Sequence, residues 1–443
     1  MVLSVKATGN YASRMNRITI TLLIGLCSGP LGGMPRSFAD ELRVGAAKID
    51  ITPSKPVTMA GYESRKTLSA GVHDPISARA LAFECNQHRL VLVSTEVLGF
   101  YDGTAQAMRE AILAACKLKP AELFLCAIHT HSAPTVTLNA EKAHPDNLAY
   151  SKELREKLIE AVRAALAGLA PAQVGFGAGA SPVGANRREV VQDEQGNPKV
   201  VLGRNPSSLT DREVQVLKVT SADPNEVVAA LFAYSTHSTS LGPRNLLISG
   251  DVHGLAAQFV EKYLGGRTIT PEFAGASGNI DPWYRVLPEF KTTNGWIPEP
   301  ILLGTMLGEE VVHVLENIQT STTNRAIQTA FKAVELLGKS PDDAPTAAGT
   351  LTPFNITVGH VGDIAFVGLG GEVFTEIGKS IKTASPFRHT IILTHCNGAA
   401  GYIPTRSSYP EGGYEVQSSH FAPGAGEQIA EEAERMLRAL LEP

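Results

Sequence analysis

Two histidines at the end of an apolar run are the residues of this sequence best placed to do chemistry. Residues 123–128 have the length and composition of a buried strand, and they lead directly into His129-Thr-His131. On an extended segment, side chains two residues apart point to the same face. The pair predicts two nitrogen ligands for one metal ion, or one ligand beside an acid–base group. Two surface histidines at a turn would give the same pattern.

Polar side chains also follow other apolar runs along the chain. Glu96, His237 and Glu372 each come at or just after the end of a strand-like segment, and a loop carrying Tyr402 follows another. Ligands of α/β proteins gather beyond the carboxyl ends of the strands. Two or three histidines, a carboxylate and an open position are typical of catalytic zinc. The sequence therefore predicts a Zn2+ site at the strand ends.

The elements that must position these residues alternate between strands and helices. This order predicts an α/β fold. The further expectation of a single catalytic domain with mixed β-sheets flanked by helices comes from the family resemblance given below. The helix at residues 151–168 is expected to begin with Ser151 as N-cap, and Tyr263 is expected to point inward from its helix. The segment 174–188 is Gly-rich, without an assigned element. Strands are predicted near residues 42–50, 78–83, 90–94, 123–128, 214–219, 227–234, 364–369 and 390–394, and helices near 103–116, 151–168, 249–264, 302–316 and 426–441.

The composition excludes some classes of partner. The 443 residues are 43% apolar and 19% charged, which is typical of a globular protein. The formal net charge of −5 argues against nucleic acid and against an anionic membrane surface as partners.

The first 39 residues have the organisation of an export signal. A basic segment at 14–17 precedes the apolar run 18–27, and Ala39 stands before two acidic residues. The run is too short to span a bilayer, and no later stretch is apolar enough to do so. We expect a signal peptide at 1–39, a catalytic domain at 40–443 and a secreted or periplasmic protein. A disordered tail or a membrane anchor would be the alternative.

The cysteines that would remain after export do not form a recognisable metal or disulfide pattern. Their spacing is irregular and matches no zinc finger, and four cysteines in so long a chain are not a disulfide framework. Buried free thiols are the expected state of Cys85 and Cys126, which lie in apolar runs. The other two cysteines are Cys116 and Cys396.

The order of the motifs resembles the catalytic domain of the neutral/alkaline non-lysosomal ceramidase family. The similarity runs from about residue 43 to the end and includes an Asn-Arg pair at Arg187. Members of that family hydrolyse the N-acyl amide of ceramide with one zinc ion. The resemblance implies that His131 and Arg187 lie beside the substrate. The motifs that carry it are residues 128–134, 234–240 with 247–251, 371–372 and 401–405, and the zinc ligands that it implies are His129, His237, Glu372 and Tyr402.

One departure from the family concerns the reaction itself. The family's Gly-Asp-Val-Ser-Pro motif contains a serine that takes part in amide cleavage, whereas residues 278–282 read Gly-Asn-Ile-Asp-Pro. Asp281 thus replaces the serine, and Asn279 replaces the aspartate. The family also continues into an immunoglobulin-like domain that this sequence does not include.

The prediction is an exported zinc hydrolase that cleaves an amide of a small-molecule or lipid-like substrate, with Asp281 orienting or deprotonating the attacking water.

Each assignment has a simpler alternative. Glu372 could be a carboxylate that stabilises a helix start, and Tyr402 could be a packing residue. Arg187 could be a surface arginine, and Asp281 before a proline could mark a plain turn.

Two other functions fit parts of the sequence. Residues 250–254 read Gly-Asp-Val-His-Gly, similar to the Asp-x-His-Gly signature of two-metal phosphoesterases, although the later motifs of that class are missing. Loss of the serine would also suit a non-catalytic zinc- or ligand-binding protein on the same scaffold.

Overall fold

The structure is a computed structural model that describes residues 41–221, 226–283, 299–321, 326–339 and 350–442. The predicted export signal at 1–39 lies outside the described residues. Ala39–Pro443 form one compact unit.

The larger sheet has eight strands, most of them antiparallel neighbours. Its spatial order is β13-β11-β10-β6-β1-β3-β4-β5, and the pairs β4–β5 and β11–β13 are parallel. In chain order these strands are β1 (Arg43–Asp50), β3 (Ser77–Cys85), β4 (His88–Thr95), β5 (Leu123–Ala127), β6 (Ala170–Ala180), β10 (Glu213–Ser221), β11 (Val227–Tyr234) and β13 (Glu272–Ala274).

A second sheet and four short pairs complete the strand structure. The second sheet has the order β15-β16-β17-β19, with β17 and β19 parallel. Its strands are β15 (Ile327–Leu337), β16 (Leu351–Val361), β17 (Ile364–Leu369) and β19 (His389–Leu393). The short pairs are β2 (Gly71–Val72) with β12 (Leu247–Ile248), β7 (Gly184–Asn186) with β14 (Ile280–Pro282), β8 (Arg188–Gln192) with β9 (Pro198–Leu202), and β18 (Glu372–Val373) with β20 (Tyr402–Ile403).

Helices cover the outer faces of both sheets. None of the helices in the described part of the chain combines the length and hydropathy that a membrane crossing requires. The helices are α1 (Thr104–Cys116), α2 (Pro145–Ala167), α3 (Asp251–Tyr263), α4 (Glu299–Asn317), α5 (Thr375–Ala384), α6 (Tyr414–Ser418) and α7 (Ala425–Ala439).

The core is layered because successive residues of each strand face opposite sides. In β3, Ala80 packs under α1 and α2, whereas Leu81 and Phe83 face the second sheet. In β17, Phe366 faces the first sheet and Val367 packs under α5 and α7. The four layers are helix, sheet, sheet and helix, which confirms the predicted mixed α/β fold.

Several predicted details are wrong. Helix α2 begins at Pro145, six residues before the predicted start, with His144 as N-cap. Ser151 is therefore inside the helix, where its hydroxyl accepts a bond from the backbone of Thr137. Tyr263 is 56% exposed rather than inward, because it lies at the last turn of α3 and bonds Glu316.

The carboxyl ends of several strands lie near one another. Strands β5, β11 and β19 each end immediately before a loop that carries a buried histidine, at 129, 237 and 395. The short pair β18–β20 places Glu372 opposite Tyr402 in parallel register. The fold therefore brings distant parts of the sequence to one edge.

Candidate metal centre

His129 and His237 direct their Nε2 atoms toward the same point, where Nη1 of Arg187 lies 3.4 Å from Nε2 of His237. The Nδ1 of His129 lies 2.8 Å from the carbonyl oxygen of Leu98, and the Nδ1 of His237 lies 2.9 Å from that of Ile280. A carbonyl oxygen only accepts, so Nδ1 carries the proton in both rings and Nε2 keeps its lone pair. Burial and the nearby Arg187 lower the pKa of His237, which favours the neutral ring that a metal requires.

The carboxylate of Glu372 faces the Nε2 atoms of His129 and His237. Its Oε2 lies 3.3 Å from Nε2 of His129 and 3.4 Å from Nε2 of His237, and it is buried without a hydrogen-bond donor. Glu372 lies in β18, three residues before α5 begins, and the acidic residue of that helix's first turn is Glu376. Glu372 therefore serves the histidine cluster rather than the start of the helix.

A divalent cation fits this arrangement. The Nε2 lone pairs of His129 and His237 and the carboxylate oxygen of Glu372 converge with one long N–H contact among them, from Arg187 to His237, and a cation between them would offset their repulsion. Tetrahedral Zn2+ with bonds of ~2.0–2.1 Å has ligand–ligand separations of roughly 3.3–3.4 Å, which the two distances match. His129, His237 and Glu372 thus form three sides of a site that could hold a divalent cation.

His131 is close enough to be a further donor. Its Nε2 lies 3.3 Å from Nε2 of His129, and the ligand atoms of His129, His131 and His237 all lie within 4.8 Å of one another. The segment is not extended as predicted, because His129 has a left-handed backbone with φ of 63°. Gly61 packs on the ring of His131, where a Cβ would lie 2.5 Å from Nδ1.

Tyr402 and Arg187 lie on the other side of Glu372. Tyr402 is buried, and its hydroxyl accepts a bond of 3.1 Å from Nη2 of Arg187. Burial and the carboxylate of Glu372 raise the pKa of Tyr402 well above its ordinary value, so the phenol keeps its proton unless a cation binds. Arg187 is 5% exposed and is not a surface arginine.

Asp281 is held by two arginines. It receives bonds of 3.1 Å from Arg187 and 3.3 Å from Arg204, and it lies in β14 rather than in a free turn. Burial would raise the pKa of Asp281, but Arg187, His237 and Arg204 together hold it well below its usual range. The carboxylate is therefore permanently ionised and a weak proton acceptor.

Asn279 connects this loop to helix α5. Its Oδ1 accepts the backbone N–H of Thr375, the first residue of the helix, at 2.9 Å. Its Nδ2 donates to Glu376 at 2.9 Å. The amide thus satisfies one free N–H of the helix start and one carboxylate at once.

Two residues near the cluster were missed by the sequence reasoning. The hydroxyl of Tyr101 donates to Oε1 of Glu372 at 3.4 Å, leaving Oε2 for the histidines. The ring of His395 stacks on His129, with centroids 4.0 Å apart. The observation that polar residues follow apolar strands could have identified His395, because it follows β19. Tyr101 lies in a loop and gave no such signal.

Glu96, which satisfied the same rule, belongs to a different cluster. It accepts a bond from the fully buried Arg79, which also donates to Glu272 at 2.9 Å and to Glu261 at 2.8 Å. Lys48 bonds Glu261 from the outside. We call Arg79, Glu96, Glu261 and Glu272 the arginine cluster.

The phosphoesterase-like motif has a structural role. Asp251 accepts bonds from the hydroxyl of Ser240 and from three backbone N–H groups. His253 bonds Ser238 through one nitrogen and the carbonyl of Tyr234 through the other. These bonds shape the loop beyond His237 and leave neither residue available for a pair of metal ions.

Cys85 and Cys126 are buried and take part in no disulfide, as predicted, and the same holds for Cys116 and Cys396. Cys126 and Cys396 lie on neighbouring segments that form a β-bridge directly before His129 and after His395. They pack the rear of the centre.

The structure thus brings together all seven residues selected from the sequence. His129, His131, His237, Glu372, Tyr402, Arg187 and Asp281 form one connected cluster. Their individual roles stay predictions.

Comparison with known proteins identifies the group to which the chain is similar. A family model described as neutral/alkaline non-lysosomal ceramidase, N-terminal, matches residues 42–279. The neutral ceramidase of Pseudomonas aeruginosa is 24% identical over 92% of this chain and 74% of that protein. Those of Oryza sativa and Mycobacterium tuberculosis are 25% and 26% identical, and this chain spans only 37% and 39% of their lengths.

Solved structures show the same fold. The crystal structure of the Pseudomonas aeruginosa neutral ceramidase matches with a TM-score of 0.74 at 19% identity, over 90% of this chain and 74% of that one. A ceramidase complexed with C2 matches with a TM-score of 0.70 at 20% identity, over 90% and 75%.

Proposed function

The chain belongs to the neutral/alkaline non-lysosomal ceramidase family, and on that premise we propose that it is an exported zinc-dependent hydrolase that cleaves an N-acyl amide bond. The observation that carries the proposal is the buried Oε2 of Glu372, which receives no hydrogen bond and lies 3.3 Å and 3.4 Å from the Nε2 atoms of His129 and His237.

The bound metal would supply Lewis-acid chemistry. When bound, Zn2+ would supply Lewis-acid polarisation of a carbonyl and would lower the pKa of a coordinated water to about 7. His129, His237, Glu372 and Tyr402 would hold the ion, and His131 would offer a third imidazole nitrogen next to the reacting atoms.

The chain's other residues bind and orient. Arg187 is saturated by Glu415, Asp281, Gly278 and Tyr402, so it fixes the directions of Asp281 and Tyr402 rather than binding substrate through a free guanidinium. Asp281 is a fixed acceptor, and we propose that it orients the attacking water instead of taking its proton.

Metal content and amide turnover test the proposal directly. The purified protein should contain one zinc per chain, lose activity with a chelator and regain it on addition of zinc. Activity indifferent to chelation would remove the metal from the reaction. Tight stoichiometric zinc without turnover of any amide would instead support the non-catalytic binding protein.

Asp281→Asn separates the two roles proposed for the carboxylate. Loss of a general base costs ~10²–10⁴-fold in kcat. Loss of an orienting acceptor, with an isosteric side chain in its place, should cost only about tenfold to a hundredfold. Zinc content of the variant controls for damage to the site.

Export is a separate part of the proposal. It rests on the signal-like organisation of residues 1–39. Sequencing the N-terminus of the protein recovered from culture medium or periplasm tests it, and an intact Met1 on recovered protein would contradict it.

A further inference from the structure

We infer that the amide cleaved at this centre has a short acyl group on a neutral, hydroxyl-rich amine, an inference that rests on the proposed hydrolase function. The cleft beside the metal centre carries the argument. It has a volume of about 630 Å³ and opens over His129, His131, Glu372 and Tyr402.

Tyrosines dominate the part of the cleft nearest the reacting atoms. The ring of Tyr62 lies 4.9 Å from that of His131, Tyr101 bonds Glu372, and Tyr414 packs edge-on against Tyr402 at 5.6 Å. A tyrosine offers a flat apolar face together with a hydroxyl that donates and accepts. Such walls suit a ligand that alternates C–H and O–H groups.

Aliphatic surface in the cleft is small. Met59 and Val136 line it but are only 6% and 7% exposed, and the remaining aliphatic lining is Ala60, Leu98 and Ala143. Among the described residues, the lining contains no Phe, Ile or Trp. A long acyl chain gains about 0.8 kcal/mol for each CH₂ only when it leaves water for apolar surroundings. The part of the cleft lined by the described residues does not provide a continuous apolar slot for one.

The rim of the cleft is polar. Glu63, Asp102, Asn139 and Lys142 are exposed around its mouth. Alkyl chains laid across these groups would displace their water without replacing its hydrogen bonds. Hydroxyl groups would replace those bonds, which favours a hydroxylated amine over a lipid.

The available charges favour a neutral ligand. Arg65 lines the cleft, but its guanidinium donates to the backbone oxygens of Ala60, His131 and Gly242. Nε of Arg65 is buried without a partner, and the N–H groups of Arg187 lie against Glu415, Asp281, His237, Gly278 and Tyr402. The rim carries both acidic groups and Lys142, so it offers no cluster of free cations for a carboxylate or phosphate.

Four matched amides test the inference. We would present N-acetylglucosamine, N-octadecanoylglucosamine, N-acetylsphingosine and N-octadecanoylsphingosine in one nonionic detergent and measure release of free amine by the zinc-loaded protein. The expected kcat/KM for N-acetylglucosamine exceeds that for N-octadecanoylsphingosine by at least about tenfold, the discrimination that polar pockets readily reach. Fastest turnover of N-octadecanoylsphingosine would overturn this inference and leave the amide hydrolase standing. No turnover of any of the four would overturn both.

A conservative variant gives a second measurement. Tyr414 is 47% exposed, so Tyr414→Phe removes one hydroxyl with little effect on the fold. Loss of one neutral hydrogen bond should raise KM for N-acetylglucosamine by roughly threefold and leave kcat and zinc content unchanged. Tyr263→Phe, at a 56% exposed tyrosine on α3, is the matched control. An unchanged KM in Tyr414→Phe would contradict recognition of substrate hydroxyls there.

Discussion

The metal centre and the arginine cluster are two buried, charged sites at strand ends that balance their charge in opposite ways. In the arginine cluster, Arg79 donates to three carboxylates, so the chain supplies its own cation. At the metal centre, Oε2 of Glu372 lies beside the Nε2 atoms of His129 and His237 and receives no hydrogen bond from the chain. A buried polar group must be compensated. An unpaired oxygen alone does not separate the two sites, because Oε2 of Glu96 also lacks a partner. The difference is that Arg79 pairs directly with its carboxylates, whereas the groups nearest to Oε2 of Glu372 are imidazole nitrogens, which can bind a metal ion.

Removing a histidine from the metal centre should give the largest effect. His129→Ala deletes one donor of the proposed ligand set, whereas the apolar strand before it packs without its help. We expect loss of stoichiometric zinc and a fall in kcat/KM of at least ~10²–10³-fold, with nearly unchanged stability of the metal-free protein. His313→Ala, at an exposed histidine on α4, is the control for both measurements. Zinc retained in His129→Ala would refute the ligand assignment.

Removing the arginine should affect stability instead. Arg79→Met leaves the buried carboxyl groups of Glu96, Glu261 and Glu272 without their cation, and such breakage costs about 3–5 kcal/mol of unfolding free energy. Denaturant unfolding measures it. Arg89→Met, which breaks a partly exposed pair with Glu84, should cost no more than about 1 kcal/mol. Equal losses in the two variants would show that the arginine cluster is not needed for charge balance.

Lowering the pH should change the stability contributions of the two regions in opposite directions. Burial lowers the pKa of His253, behind the metal centre, to about 4, so its contribution is complete above pH 6.5 and is lost as pH falls toward 4. Burial and Glu96 raise the pKa of Glu272 despite Arg79, so its contribution is complete at low pH and is lost as pH rises. The loss of unfolding free energy that His253 causes toward acid is up to about 3 kcal/mol.

Two variants check these signs. Unfolding free energy of the metal-free protein would be measured between pH 4 and 8. His253→Gln should reduce the decrease in unfolding free energy as the pH falls. Glu272→Gln should reduce the decrease in unfolding free energy as the pH rises. Shifts of the same sign in both variants would contradict the contrast.

The smallest expected effect concerns Tyr101, which orients Glu372. Tyr101→Phe removes the bond to Oε1 and should weaken zinc affinity about tenfold, the lower end for a residue that supports a ligand. Competition with a metal chelator gives the affinity. Tyr150→Phe, at a buried tyrosine whose hydroxyl lacks a partner, is the control. Equal affinities for both variants would show that Glu372 needs no such support.

Local periodicity predicted most elements of the fold but not all. The strands β5 and β17 are apolar throughout, β4 is apolar over Leu90–Val93, and all three were predicted from composition. Strand β15 was missed because it is half exposed and mixes polar with apolar residues. Strand β6 was not predicted because its sequence is rich in glycine. The glycines are needed where β6 packs under α4, since a Cβ at Gly177 would collide with Ile318. Tertiary packing, which the local pattern does not contain, decides both cases.

The residues of the site were predictable, but their partners were not. Glu96 and Glu372 looked alike as carboxylates at strand ends, and only the structure separates them. The sequence feature that indicates a buried partner for Glu96 is Arg79, a charged residue inside a mostly apolar strand, but the pairing itself is visible only in the structure. The roles of Arg204 and Tyr101 depend on contacts between segments far apart in the chain, which spacing does not reveal.

The amide of Asn279 constrains the mutational routes open to this protein. Because Nδ2 of Asn279 donates to Glu376, an aspartate at 279 would set two carboxylates against each other at 2.9 Å. The family's Gly-Asp-Val-Ser-Pro sequence differs from this one at 279, 280 and 281, and the change at 279 is coupled to residue 376. Asn279→Asp would need either a proton shared with Glu376, whose pKa burial raises, or a second change at 376.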